Sequence, residues 1–81
     1  MAAIGRREDV NPTEGTREYG DVEFADPTNK KYPIDTAEHV RHAWSYINKE
    51  SNAAKYSKKD AAEIRNRIKA AAPRFGVEID D

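Results

Sequence analysis

The chain contains no cysteine, one methionine and one tryptophan among its 81 residues. Without thiols there are neither disulfides nor thiolate metal sites, which fits a reducing compartment. No apolar run approaches the roughly 20 residues that span a bilayer, and the apolar part of MAAIGRREDV is too short for a secretory signal. Asn11-Pro12-Thr13 fails as a glycosylation acceptor because proline fills its middle position. A cytoplasmic protein without membrane association is therefore expected. A glycine-rich phosphate loop, a nucleophile elbow and a cysteine–histidine pair are all missing too. No catalytic residue and no cofactor is assigned, and the chain is expected to be non-enzymatic.

Hydrophobic residues make up 37% of the chain and charged residues 36%, so one small domain is expected, near the lower limit at which a single core outweighs chain entropy. The net charge of −1 conceals blocks. Residues 1–29 hold three basic and seven acidic side chains, residues 30–76 eleven basic and five acidic, and residues 77–81 three acidic. A positive middle between acidic arms can be a contact surface or can be neutralised by the arms folding back.

The strongest local pattern is Lys31–Asn48, KYPIDTAEHVRHAWSYIN. Asp35 or Thr36 can cap a helix, with Glu38 three residues after Asp35. Val40, Ala43, Trp44 and Ile47 then form one stripe of period 3.6, so a helix is predicted over about 36–48. Pro33 pushes Tyr32 toward extended geometry. A second helix is predicted over about 58–72, from Ser57 as N-cap, with Asp60 in its first turn and Ala61, Ile64, Ile68, Ala71 and Ala72 as its stripe. Pro73 and Gly76 should end it, and Phe75, Val77 and Ile79 should return over the core. Residues 49–56 read as a connection with Ala53, Ala54 and Tyr56 turned inward.

The expected fold is thus mainly α: two amphipathic helices packed as a hairpin with extended flanks. Trp44 is expected at the centre, so that its replacement by alanine would cost about 3–5 kcal/mol. Residues 22–34 allow a short β-hairpin around Asp26-Pro27-Thr28-Asn29, or an irregular arm that inserts Phe24 into the core. Residues 1–20 read as a mobile arm, because Ile4, Val10 and Tyr19 follow no period that would bury them together. Residues 21–80 form the single helical domain.

His39 and His42, at i and i+3 beside Glu38, could reach one ion, but metal sites need three or four donors, and no metal site is assigned. Asp35, Glu38, Asp60 and Glu63 read as helix caps and first-turn acids rather than as a catalytic set. Tyr46 lies off the apolar stripe beside His39 and His42, at the core edge or on a contact surface. On the second helix Lys58, Arg65 and Lys69 line one side, with Lys55, Lys59, Arg67 and Arg74 nearby in sequence. Such a row can touch phosphates, and it is also how a solvated helix face looks.

KYPIDTAEHVRHAWSYIN, then NAAKYS, then IRNRIKAAAPRFGVEI resemble an uncharacterised family of short bacterial and phage-encoded proteins classed as a domain of unknown function. The resemblance spans about Val22–Ile79, carries no activity or binding residues, and its phage association raises a nucleic-acid role slightly. Two function classes remain. One is a small binding protein that contacts nucleic-acid backbone through Lys58, Lys59, Arg65, Lys69 and Arg74. The other is a protein–protein interaction adaptor using the acidic arms or the Tyr46 and His39 face. A monomer is favoured.

Overall fold

The computed structural model describes residues 4–79, so the first three residues of the arm and residue 80 of the domain lie outside the described residues. In chain order come α1 (Pro12–Tyr19), β1 (Phe24–Asp26), β2 (Lys31–Pro33), α2 (Ala37–Ile47), the single turn α3 (Glu50–Ala53), α4 (Lys58–Ala71) and a 3-10 turn over Ala72–Phe75. About half of the chain is helical, and the two strands pair antiparallel. The two expected helices are present within a residue of their expected ends. They are joined by two further helices and a sheet that a two-helix hairpin leaves out.

Both long helices start where a side chain satisfies a free backbone N–H. Thr36 Oγ1 accepts from His39 N at 3.0 Å and Ser57 Oγ from Asp60 N at 3.0 Å. α4 ends in the 3-10 turn, in which Ala72 keeps right-handed helical angles despite preceding Pro73. Proline sits at the start of that turn, where no N–H is required. Gly76, at φ 70°, then reverses the chain, and the buried Val77 returns over the core as expected.

α2 packs on α4 and β2, and α4 packs on β1. Between them Ile34, Val40, Ile47, Ile64 and Ile68 are each at most 2% exposed, whereas Trp44 is only partly buried against this cluster. The stripe reading chose the right face of α2 and the wrong centre. The largest side chain lies at the edge of the core, and branched aliphatic residues fill its middle. Ala53 is partly buried and Tyr56 buried, but Ala54 is exposed.

The hairpin register pairs Phe24 with Pro33 and Asp26 with Lys31. Phe24 is buried, so the hairpin and the inserted ring occur together. Lys30 (φ 55°) and Tyr32 (φ 60°) both adopt left-handed backbone, which costs a residue with a side chain about 1–2 kcal/mol. Tyr32 was expected extended. The tight return of the hairpin overrides the preference that Pro33 imposes.

The segment before the hairpin also belongs to the packed body. Ile4 is buried in the main cluster. α1 starts at Asn11, whose Oδ1 accepts from Thr13 N at 3.0 Å, and ends at Gly20 (φ 84°). It buries no side chain completely. It meets the hairpin at Gly15, where a Cβ would run into the Lys30 carbonyl oxygen, and through Tyr19 against Phe24.

A polar cluster joins these parts. Asp26 and Asn29 are fully buried. Asp26 Oδ1 accepts from Asn29 N at 3.1 Å, and Oδ2 from Asn29 Nδ2 at 2.9 Å and from the Tyr56 hydroxyl at 2.7 Å. Asn29 in turn binds the N-terminal segment: Oδ1 accepts from Arg7 N at 2.6 Å, and Nδ2 donates to the Gly5 carbonyl at 3.0 Å. Burial, and then the bond to Asp26, push the Tyr56 phenol well above its ordinary range.

Two outcomes follow in urea melts. Ile68→Ala, which opens a cavity in the middle of the core, is expected to cost about 2–5 kcal/mol and more than Trp44→Ala, whose ring already touches water. A larger loss for Trp44→Ala would put the indole back at the centre. For Tyr56, the folded chain holds the phenol proton more tightly than the unfolded chain does. That stabilisation is complete below about pH 10 and fades as pH rises beyond it. Tyr56→Phe should cost on the order of 1–2 kcal/mol at neutral pH and show a shallower alkaline loss than the parent, with Tyr32, raised by burial, and Tyr19, raised by its bond to Glu18, contributing to what remains.

Candidate nucleic-acid interface

Three separate segments bring cations to one concave surface between the hairpin and α2. Arg7 comes from the N-terminal segment, Lys31 from β2 and Lys55 from the link before α4, and all three line a cleft of about 400 Å³. Five rings line it as well: Tyr19 at the end of α1, Tyr32 on β2, and His39, His42 and Tyr46 on α2. His39, His42 and Tyr46 are spaced i, i+3 and i+7, so a single helix face presents them. Among the described residues that line the cleft there is no carboxylate.

The rings are held from behind. Tyr19 meets Phe24 edge-on at 6.1 Å and His39 at 5.5 Å between ring centres. His39 Nδ1 lies 2.6 Å from Asp35 Oδ1. A carboxylate can only accept, so Nδ1 donates and the ring is fixed. His42 and Tyr46 lie 6.4 Å apart, and Lys49 Nζ sits 4.8 Å from the centre of the Tyr46 ring. Asn52 Nδ2 donates to the Tyr46 carbonyl at 2.9 Å.

Arg7 is the most constrained of the cations. Nε and Nη2 grip Asp9 Oδ1 and Oδ2 at 3.0 and 2.6 Å, Nη1 donates to the Tyr56 hydroxyl at 3.2 Å, and the guanidinium lies 5.0 Å from the centre of the Tyr56 ring. The Asp9 bond raises the Arg7 pKa still further and lowers that of Asp9, so both stay charged at any physiological pH. A second depression borders Tyr19, Lys31 and Tyr32 and carries both signs of charge, Asp9, Glu14 and Glu18 with Lys30 and Lys31.

None of the five residues singled out on the second helix lines the cleft. Lys58, Lys59 and Lys69 are exposed on α4. Arg65 Nε donates to Asn48 Oδ1 at 3.2 Å, tying α4 to the end of α2. Arg74 pairs with Glu23 at 3.0 Å and lies over the Phe75 ring. Helical periodicity found that row, and it could not find cations that meet only after the chain has folded. The one sequence signal for the cleft was Tyr46 beside His39 and His42. Among the described residues no group of three or more histidine, aspartate or glutamate side chains could hold a metal ion, and no helix is long and apolar enough to cross a membrane. Of the carboxylates weighed from sequence, Asp35 holds His39 and Asp60 Oδ2 accepts from Gly5 N at 3.1 Å.

No curated protein and no solved structure matches the chain. A sequence profile for a family of unknown function does match, over residues 1–81, and so takes in the N-terminal segment that the resemblance over Val22–Ile79 left aside. With a match along its whole length, the chain belongs to that family of unknown function, DUF6582.

Proposed function

We propose that this protein is a non-enzymatic binding module for nucleic acid, which it contacts through backbone phosphates. One observation carries the reading: Arg7, Lys31 and Lys55 converge from three segments on a cleft whose described lining residues include no acid. Arg7 is paired with Asp9, so Lys31 and Lys55 are the two cations that bring uncompensated charge to the lining, at an electrostatic cost. A polyanion repays it, because each phosphate contact releases condensed counterions. Lys58 and Lys59 are exposed on the first turn of α4, next to a depression in which Arg7 and Lys55 stand among Glu8, Asp9 and Asp60, so they are the weaker candidates for a phosphate contact. Arg65 and Arg74 contribute less, since both are engaged within the domain.

The reading is tested by fluorescence anisotropy with an end-labelled single-stranded oligonucleotide at two salt concentrations. Affinity should fall steeply with salt. Lys31→Glu/Lys55→Glu should weaken binding more than Lys58→Glu/Lys59→Glu, and each lost contact should lower the logarithmic salt slope by about 0.7. Absence of binding at low salt would remove the nucleic-acid reading, and reproducible capture of a protein through Tyr46 would favour an interaction adaptor instead.

A further inference from the structure

The described part of the domain exposes two large hydrophobic side chains, Tyr19 at 37% and Tyr46 at 51%, and both line the same cleft. Tyr32, which joins them there, holds its left-handed backbone between Lys31 and Pro33, two further lining residues. A chain with 36% charged residues has ample polar surface with which to cover such rings. It instead leaves them open in one place, with Tyr19 set edge-on against His39 and Phe24 and the Lys49 ammonium over one face of Tyr46. Rings that are already positioned lose little freedom when a flat ligand stacks on them. The cleft's volume, about 400 Å³, is that of a small-ligand site and far below that of a groove for a duplex.

From this we infer that the cleft receives one unpaired nucleotide at a time, its base stacked on the exposed tyrosines and its phosphates at Lys31 and Lys55. The inference rests on the nucleic-acid reading above and adds to it the recognition of a base. A phosphate backbone alone would be served by cations and would gain nothing from open rings. In a duplex each base is covered on both faces and cannot stack on a side chain without leaving the helix. The occupant is therefore single-stranded, and sequence preference is weak, because every base offers a π face.

Three labelled probes of equal length separate the possibilities: a single strand bearing bases, a strand of abasic sites with the same phosphates, and a duplex. The full chain should bind the base-bearing strand most tightly. Tyr46→Ala removes a side chain that is half in water and so leaves the fold intact, which a melt verifies. It should weaken binding of the base-bearing strand about ten- to a hundredfold, leave the abasic strand and the salt slope unchanged, and be rescued by Tyr46→Phe. Equal affinity for base-bearing and abasic strands, or for duplex and single strand, overturns the assignment while leaving the backbone reading standing. If no probe binds at low salt, both fail.

Discussion

Asp26 is fully buried, and its carboxylate accepts three hydrogen bonds from two residues, one of them thirty positions away. A carboxylate withdrawn from water is tolerated only when such bonds replace its hydration, because an unpaired buried charge costs several kcal/mol. That requirement fixes three pieces of chain at once. The Asp26–Asn29 turn is closed by Asn29, residues 5–7 are held by the two ends of the Asn29 amide, and Tyr56 is drawn in from the link between α3 and α4. No buried side-chain nitrogen or oxygen among the described residues is left without a partner. The aliphatic core would close α2 on α4 without this cluster; it would not place the turn, the N-terminal segment and the link relative to one another.

The cleft inherits its geometry from that arrangement. Arg7 follows the segment that Asn29 ties down, Lys31 and Tyr32 follow the turn, and Lys55 precedes Tyr56. Each cation thus stands within two residues of a member of the polar cluster, or is one. The strained backbone at Lys30 and Tyr32 has the same origin, since the chain must turn sharply out of the Asp26–Asn29 closure to run back along β1. Local strain that survives in a small domain has to be offset by its surroundings, and here the surroundings are the buried hydrogen bonds and the close seat of α1 at Gly15.

What could be read from sequence divides along the same line. α2 and α4 were legible because their signals are local: a hydroxyl cap at Thr36 and Ser57, a stripe of period 3.6, and a stop at Gly76. α1 carried local signals as well, with Asn11 before Pro12 and Gly20 after Tyr19. It has no apolar stripe, and a reading that weighs stripes passes over a helix seated by a glycine. Asp26 was legible as a turn former. Nothing near it announces a tyrosine thirty residues later, and so its role as the centre of the polar cluster was not. The same holds for Tyr32, whose tertiary surroundings reverse a preference set by its neighbour. Of the cleft, His39, His42 and Tyr46 share one helix turn pattern and could be grouped, whereas Arg7, Tyr19, Lys31 and Lys55 come from four other places in the chain.

The basic row on α4 and the cleft show why a count of cations along a helix is a weak guide to binding. An amphipathic helix must put its charged residues opposite its apolar stripe, so a row of Lys and Arg follows from composition alone. Once folded, two members of this row turn to partners inside the domain, Arg65 to Asn48 and Arg74 to Glu23. The cleft differs in kind. Its cations are not neighbours in sequence and nothing in helix formation requires them to meet; Asp9 pairs with Arg7, and Lys31 also borders the depression that carries Glu14 and Glu18, so the cleft's own lining, rather than its surroundings, is what lacks acids. Positive potential concentrated in a concave, ring-lined wall is focused rather than dispersed by solvent. An origin in the fold, rather than in the composition of one helix, is what sets the cleft apart from the row on α4.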